Sequence, residues 1–240
     1  PRIDNDRELS YFVPIDEEHG KNIKNQLAEI FVSNHYGKGR IKKDMVIVDV
    51  GANIGMASIY FKDYAKIIYA LEPNPKNYEC LVENVKPYPF IKTFNVGISA
   101  KTATEYLRTN DSYPIAESLF GKGEIREQVK MVSLDQFMRE QKIEHVDLLK
   151  VDTEGSEYII FPSTSFANVA PKIDYIIGEA HYFAELVPEY ISLILKDCGF
   201  ETEFLPIDNM CLTMSFDDVV KKTYKLNKQT IFFAKRKGTK

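Results

Sequence analysis

The chain has 240 residues, 44% hydrophobic and 28% charged, which is enough for one α/β domain with a full core and short for two independent ones. Its longest apolar runs fall far short of the roughly 20 residues that a membrane-crossing helix needs, so no membrane span is expected. The net charge of −4 is uneven: residues 221–240 hold eight Lys or Arg and no acid, leaving −12 on the rest, and an acidic body argues against a nucleic-acid substrate.

The basic tail reads first as lysine guarding a strand edge against aggregation, with phosphate or lipid binding as the alternative. Cys80, Cys198 and Cys211 show no metal-type or redox-type pairing and read as small core residues. They point to a reducing compartment, and a cytoplasmic location is expected. No basic-then-apolar leader precedes the body, and the start at Pro1 suggests a processed or trimmed chain.

In chain order, Ile23, Leu27, Ile30 and Phe31 recur at helical spacing within residues 16–33, predicting an amphipathic helix packed on the domain or covering its site. From Val46 onward short apolar strands alternate with helices, the pattern of a parallel sheet. Met45–Val50 is apolar except for Asp49, as a strand buried on both faces should be. A helix over Ile54–Tyr64, a strand over Lys66–Glu72 and a helix from Pro75 to Val85 follow, the last started by Pro73-Asn74-Pro75.

A third strand is expected at Ile91–Val96. Ala103–Arg108 and Gln128–Leu134 then read as strands flanking a loop with Pro114, Gly121 and Gly123, a candidate lid. A helix over Asp135–Gln141, a strand over Val146–Asp152 and a short helix near Gly155 come next. The strand Ile173–His181 precedes a helix with Leu186, Val187, Tyr190, Ile191, Ile194 and Leu195 on one face, stopped at Gly199. Strands near Phe200–Leu205 and Thr230–Lys235 complete an expected seven-stranded sheet.

The sharpest local signal is Asp49-Val50-Gly51-Ala52-Asn53-Ile54-Gly55, a glycine turn between a buried strand and a helix. Such a turn brings backbone close to a ligand, and the helix start behind it suits a carboxylate or phosphate. It lacks GxGxxG and Gly-Lys-Ser/Thr, so a nicotinamide-dependent oxidoreductase and an ATP site are the weaker assignments. Glu72 closes the second strand 21 residues beyond Gly51, where Rossmann-type sheets place an acid that accepts from ribose hydroxyls. Its bland alternative is a cap for the following helix, and that of Asp49 is a turn-stabilising carboxylate.

A second constellation, Lys150-Val151-Asp152-Thr153-Glu154-Gly155-Ser156-Glu157, gathers acids at the carboxyl end of a strand, the edge where open α/β sheets bind ligands. Strand alternation puts Lys150 and Asp152 on one face; Glu157 reads equally well as a charge at a helix start. One strand over, Glu179 and His181 reach the same edge. His181 is the favoured proton acceptor, because histidine titrates near neutral pH; His19, His35 and His145 lack that placement. Alternatively Asp152, Glu179 and His181 would hold a magnesium ion that binds substrate hydroxyls, although no metal is the preferred reading.

With these residues in view, the chain resembles the FkbM family of S-adenosylmethionine-dependent methyltransferases. VDVGANIGMASIYF at 48–61, YALEPNP at 69–75, VSLDQFM at 132–138 and VDLLKVDTEGSEYIIF at 146–161 carry the likeness, which spans about residues 46–181. It implies the class I, Rossmann-like methyltransferase fold, a seven-stranded mostly parallel sheet flanked by helices. Residues 1–44 would then be an N-terminal helical extension and 45–240 the methyltransferase domain.

By the same likeness Asp49, Gly51, Asn53 and Gly55 would surround the methionine end and Glu72 the ribose, with Ala52, Pro73 and Asn74 beside them. Asp152 and Glu154 would form the reaction edge, while their strand-edge placement makes Asp152, Glu179 and His181 the expected catalytic set. The implied reaction is O-methylation of a hydroxyl on a sugar, glycolipid or polyketide-like small molecule. Nucleic-acid methylation and a non-catalytic module that binds S-adenosylmethionine are the alternatives.

Overall fold

A computed structural model describes residues 41–110, 113–119, 124–181, 187–205 and 229–239, with Ile30 and Tyr36. In chain order the elements are β1 (Met45–Val50), α1 (Met56–Phe61), β2 (Ala65–Leu71), α2 (Pro75–Val85), β3 (Ile91–Phe94), β4 (Gly97–Ser99), β5 (Ala103–Asn110), β6 (Tyr113–Ser118) and β7 (Ile125–Ser133). Then come α3 (Leu134–Glu140), β8 (Val146–Val151), α4 (Glu157–Ile160), α5 (Thr164–Val169), β9 (Ile173–His181), α6 (Pro188–Asp197), β10 (Phe200–Leu205) and β11 (Gln229–Arg236).

Seven strands form one sheet in the order β10-β11-β9-β8-β1-β2-β3. From β9 to β3 every pairing is parallel, while β11 runs antiparallel to both β9 and β10. This is the expected class I methyltransferase sheet. The period of two divides β1 between two cores: Val48 and Val50 pack with Leu149, Phe161 and Phe166, whereas Ile47 packs with Phe61, Ile68 and Leu81. Helices α3 to α6 cover the first face, α1 and α2 the second. With both faces covered, β1 and β8 carry their carboxyl ends to the middle of one sheet edge, where the glycine turn and the acid cluster emerge.

Within residues 97–133, β5 and β7 meet the strands expected at 103–108 and 128–134, and the remainder differs from expectation. β4, β7, β5 and β6 form a second, four-stranded sheet in that order, so Tyr113–Ser118 is a strand where a lid loop was expected. Pro114 is tolerated because β6 lies at the sheet's edge, where a missing N–H breaks no ladder. Gly121 and Gly123 lie outside the described residues. This sheet sits beside the Glu72 turn: a β-carbon on Gly97 would stand 2.6 Å from the Met131 sulfur and 3.2 Å from the Pro73 Cβ.

The edge-guard reading of the basic tail is corrected as well, because β11 is an inner strand between β9 and β10. Lys221, Lys222, Lys225 and Lys228 fall outside the described residues, as do Cys211 and all of the expected helix over 16–33 except Ile30. Ile30 and Tyr36 are buried in the core that contains Met45, Ile47 and Phe61. Cys80 and Cys198 are free, partly buried thiols. Among the described residues no helix is long and apolar enough to cross a membrane.

Candidate active site

The glycine turn is pinned on both sides. Gly51 and Ala52 donate their N–H groups to the Leu71 carbonyl at the end of β2, and the Asp152 N–H reaches the Val50 carbonyl at 3.1 Å. Gly51 adopts φ +76°, and a β-carbon there would lie 1.8 Å from the Asp152 carbonyl oxygen, so only glycine lets the two strand ends close together. Asn53 also takes a left-handed conformation, and the Asn84 amide on α2 donates to the Ile54 carbonyl, clamping the turn to the helix.

Glu72 stands one residue past β2 and is buried. One carboxylate oxygen accepts from the Asn53 N–H at 2.8 Å, the other from the Asn74 N–H at 2.9 Å. Each oxygen retains a second acceptor site. Burial pushes its pKa up to about 7, against the pull of those two backbone bonds and of Lys150. The capping alternative for Glu72 is answered by Asn74, whose side chain accepts from Lys76 and Asn77 and caps α2 itself.

Several residues expected to line the cofactor are spent on the architecture of the turn. Asp49 is fully buried, accepts the Ser58 hydroxyl at 2.6 Å and pairs with Lys150 at 3.1 Å, so the turn-stabilising reading describes it. Ala52 is buried in the core, Gly55 precedes α1 and Pro73 is half-buried under the second sheet. The Asn53 N–H is taken by Glu72, so it is not among the turn's groups left for a ligand's carboxylate.

Sequence reasoning placed Lys150 beside Asp152 but gave it no role. It is a buried ammonium that donates to the Gly51 carbonyl at 2.7 Å and stands 3.1 Å from Asp49 and 3.6 Å from Asp152. Burial pulls its pKa down, but Asp49 and Asp152 outweigh burial and keep it above the ordinary lysine value. Part of the signal was in the sequence: an acid in the apolar strand β1 and a lysine in β8, which pair directly in register.

His181, Glu154 and Glu157 form a chain. His181 is buried, with Nε2 3.4 Å from Glu154 and Nδ1 3.5 Å from Glu157. Burial alone would lower its pKa, yet Glu154 and Glu157 hold it well above the usual histidine value. Glu157, fully buried, also accepts the Thr153 N–H at 2.8 Å and its hydroxyl at 2.9 Å, so it organises the turn rather than merely charging a helix start. Glu179 is raised well above an ordinary carboxylate, by burial first and then by Asp152.

Asp152, Glu154 and His181 bring potential ligand atoms within 4.8 Å of one another, so Glu154 takes the place expected of Glu179 in that group. Two cations of the chain already stand there, Lys150 by Asp152 and His181 by Glu154. They neutralise the carboxylates as a magnesium ion would, and no metal is assigned. His145, which faces Asp174 at 3.2 Å and Asp147 at 3.7 Å, pairs at the start of β8 and β9, the opposite edge of the sheet.

The edge thus offers a carboxylate with acceptor sites for a diol, a backbone turn that only glycine keeps open, and acids suited to a cationic sulfur. These features fit adenosylmethionine. A family model described as the methyltransferase FkbM domain matches residues 49–202. The methyltransferase sdnD of Sordaria araneosa is 30% identical over 211 residues, covering 72% of this chain and 80% of that protein. The hexuronic acid methyltransferase AglP of Haloferax volcanii is 24% identical over 172 residues, 70% of this chain and 68% of that one.

Among solved structures, the Aeropyrum pernix fibrillarin in complex with natively bound S-adenosyl-L-methionine shares the fold, with a TM-score of 0.50 at 14% identity over 87% of this chain and 74% of that one. The chain therefore belongs to the FkbM family and is an S-adenosylmethionine-dependent methyltransferase.

Proposed function

We propose that the chain methylates a hydroxyl oxygen on a saccharide or similar polyhydroxylated small molecule. The observation that carries this reading is the concentration of carboxyl groups, Asp152, Glu154 and Glu179, around His181 at the sheet edge that also holds Gly51 and Glu72. A hydroxyl must lose its proton as it is methylated, and an acidic rim serves that loss. The relative AglP is named for hexuronic acid, which supports a sugar acceptor. The same rim disfavours nucleic acid, whose phosphates the Asp152 and Glu154 carboxylates would repel.

S-adenosylmethionine supplies a methyl group already activated on a positively charged sulfur. What remains for the chain is alignment, exclusion of water and handling of one proton. Glu72 accepts the ribose hydroxyls while its other lone pairs stay on Asn53 and Asn74. Lys150 fixes Gly51, Asp49 and Asp152 relative to one another, so the turn and the acid rim keep one spacing.

The test is incubation of the protein with S-adenosylmethionine and separate panels of saccharides, lipids, polyketide alcohols, RNA and DNA, reading release of S-adenosylhomocysteine. Release with hydroxylated saccharides and mass gain of one methyl on oxygen is expected. Methylation confined to nucleic acid, or no product from any hydroxylated acceptor, would contradict the reading.

A further inference from the structure

We propose that Glu154 takes the proton from the acceptor hydroxyl, and that His181 and Glu157 hold it in place as a carboxylate–imidazolium–carboxylate chain. This rests on the O-methylation reading and assigns the proton acceptor within it.

Geometry removes the more familiar candidate. Both ring nitrogens of His181 face carboxylate oxygens, Nε2 toward Glu154 at 3.4 Å and Nδ1 toward Glu157 at 3.5 Å. Carboxylates only accept, so a ring between two of them carries a proton on each nitrogen and has no lone pair left to receive another. The ring is also shut away: 7% of the His181 side chain and none of Glu157 is exposed, against 38% of Glu154. Within the chain, Glu154 is the member that an incoming hydroxyl can reach.

Its backbone agrees. Glu154 adopts φ +51°, a left-handed conformation that is strained for a non-glycine residue and persists only where the surroundings enforce it. The enforcing contacts are on both sides of it, since Thr153 donates twice to Glu157 and the Asp152 N–H is tied to Val50. The strained residue thereby presents its carboxylate at the edge beside the glycine turn. The other acids are less suited. Asp152 is paired with Lys150, and Glu179 is pushed well above the carboxylate range by burial and Asp152, which favours its neutral form.

The charged groups facing Glu154 are Lys150 on β8, Asp152 just past it, Glu157 on α4, and Glu179 and His181 on β9. Burial, Asp152 and Glu157 raise its pKa while His181 and Lys150 oppose them, and the net direction is upward, which makes the carboxylate a stronger base. In the step, the acceptor oxygen forms its bond to the methyl carbon with a lone pair, and the carbon–sulfur bond breaks with its pair going to sulfur. The hydroxyl proton passes to Glu154, leaving the O–H pair on the ether oxygen. The glutamic acid then returns its proton to water.

The test compares the unsubstituted protein with Glu154→Gln and Glu154→Asp. Calorimetry with S-adenosylhomocysteine should give affinities within about threefold for all three. With a saccharide that the wild type methylates, Glu154→Gln should lose about 10²-fold or more in kcat with little change in acceptor KM, and Glu154→Asp should recover part of it. The wild-type acidic limb of the kcat–pH profile should vanish in Glu154→Gln. Independently of any acceptor, nitrogen NMR of the histidine rings, with His181 assigned through His181→Gln, should show a ring that stays doubly protonated well above pH 6.5 and titrates at lower pH in Glu154→Gln.

Unchanged kcat in Glu154→Gln, or a wild-type His181 ring that is neutral at pH 7, would overturn the assignment while leaving O-methylation standing. A large loss of S-adenosylhomocysteine affinity in Glu154→Gln would instead make it a cofactor ligand and overturn it too. A wild type that methylates no hydroxylated acceptor removes the parent reading, and this one with it.

Discussion

Gly51→Ala is expected to lower the melting temperature by roughly 6–12 °C and to abolish measurable binding of S-adenosylhomocysteine. The new methyl would lie 1.8 Å from the Asp152 carbonyl oxygen, and neither partner is the end of a flexible side chain. Relief requires β1 and β8 to part where the Asp152 N–H meets the Val50 carbonyl. Alanine must also hold φ +76°. Left-handed strain and overpacking together cost about 3 kcal/mol, and each kcal/mol moves the melting point of a domain this size by about 2–4 °C.

Gly238→Ala is the control. It carries the same kind of strain at φ +89° with nothing within 4 Å of the added methyl. Calorimetry and thermal unfolding of both variants decide the matter, and equal melting points would show that the crowding at Gly51 is tolerated.

Glu72→Ala is expected to weaken S-adenosylhomocysteine about 10²-fold. Hydrogen bonds to a charged group contribute about 1.5–3 kcal/mol each, and 1.4 kcal/mol is tenfold in affinity. The wild-type affinity should also depend on pH. With a pKa near 7, the Glu72 carboxyl is mostly neutral at pH 6, whereas ribose hydroxyls donate to its charged form. Binding therefore expels a proton below about pH 7, and affinity rises with pH up to that point and then levels off.

Stability of the ligand-free protein runs the other way. The folded chain holds the Glu72 proton between the ordinary value of 4.5 and about 7, so this group's contribution, about 3 kcal/mol, is lost as pH rises through that window. Calorimetry in buffers of different ionisation enthalpy measures the proton released, and Glu72→Gln should abolish it. An affinity of the wild type that is flat from pH 6 to 8 would contradict the role.

The main sheet was legible because its strands are apolar runs bounded by turn residues. β1 and β9 fall on their expected residues, and Glu72 follows β2 as its spacing implied. The second sheet was legible only in part: β5 and most of β7 lie where strands were expected, whereas β4 has three residues and β6 contains Pro114. A strand that short, or one that contains a proline, looks like a loop until its partners are known.

At the site, residue identities were readable and charge states were not. His181 stands at the expected edge, but whether it accepts a proton depends on two carboxylates from the turn after β8 and from α4, 24 to 27 positions earlier in the chain. Lys150 shows the converse. Its pairing with Asp49 follows from strand register, a property of two strands that neither sequence segment contains alone.

The most direct measurement is a crystal structure of the protein with S-adenosylhomocysteine. The account predicts both ribose hydroxyl oxygens within about 2.6–3.2 Å of the Glu72 carboxylate, with the methionine end against the turn at residues 51–55. A bound ligand whose ribose lies out of reach of Glu72, or one seated away from that turn, would contradict it.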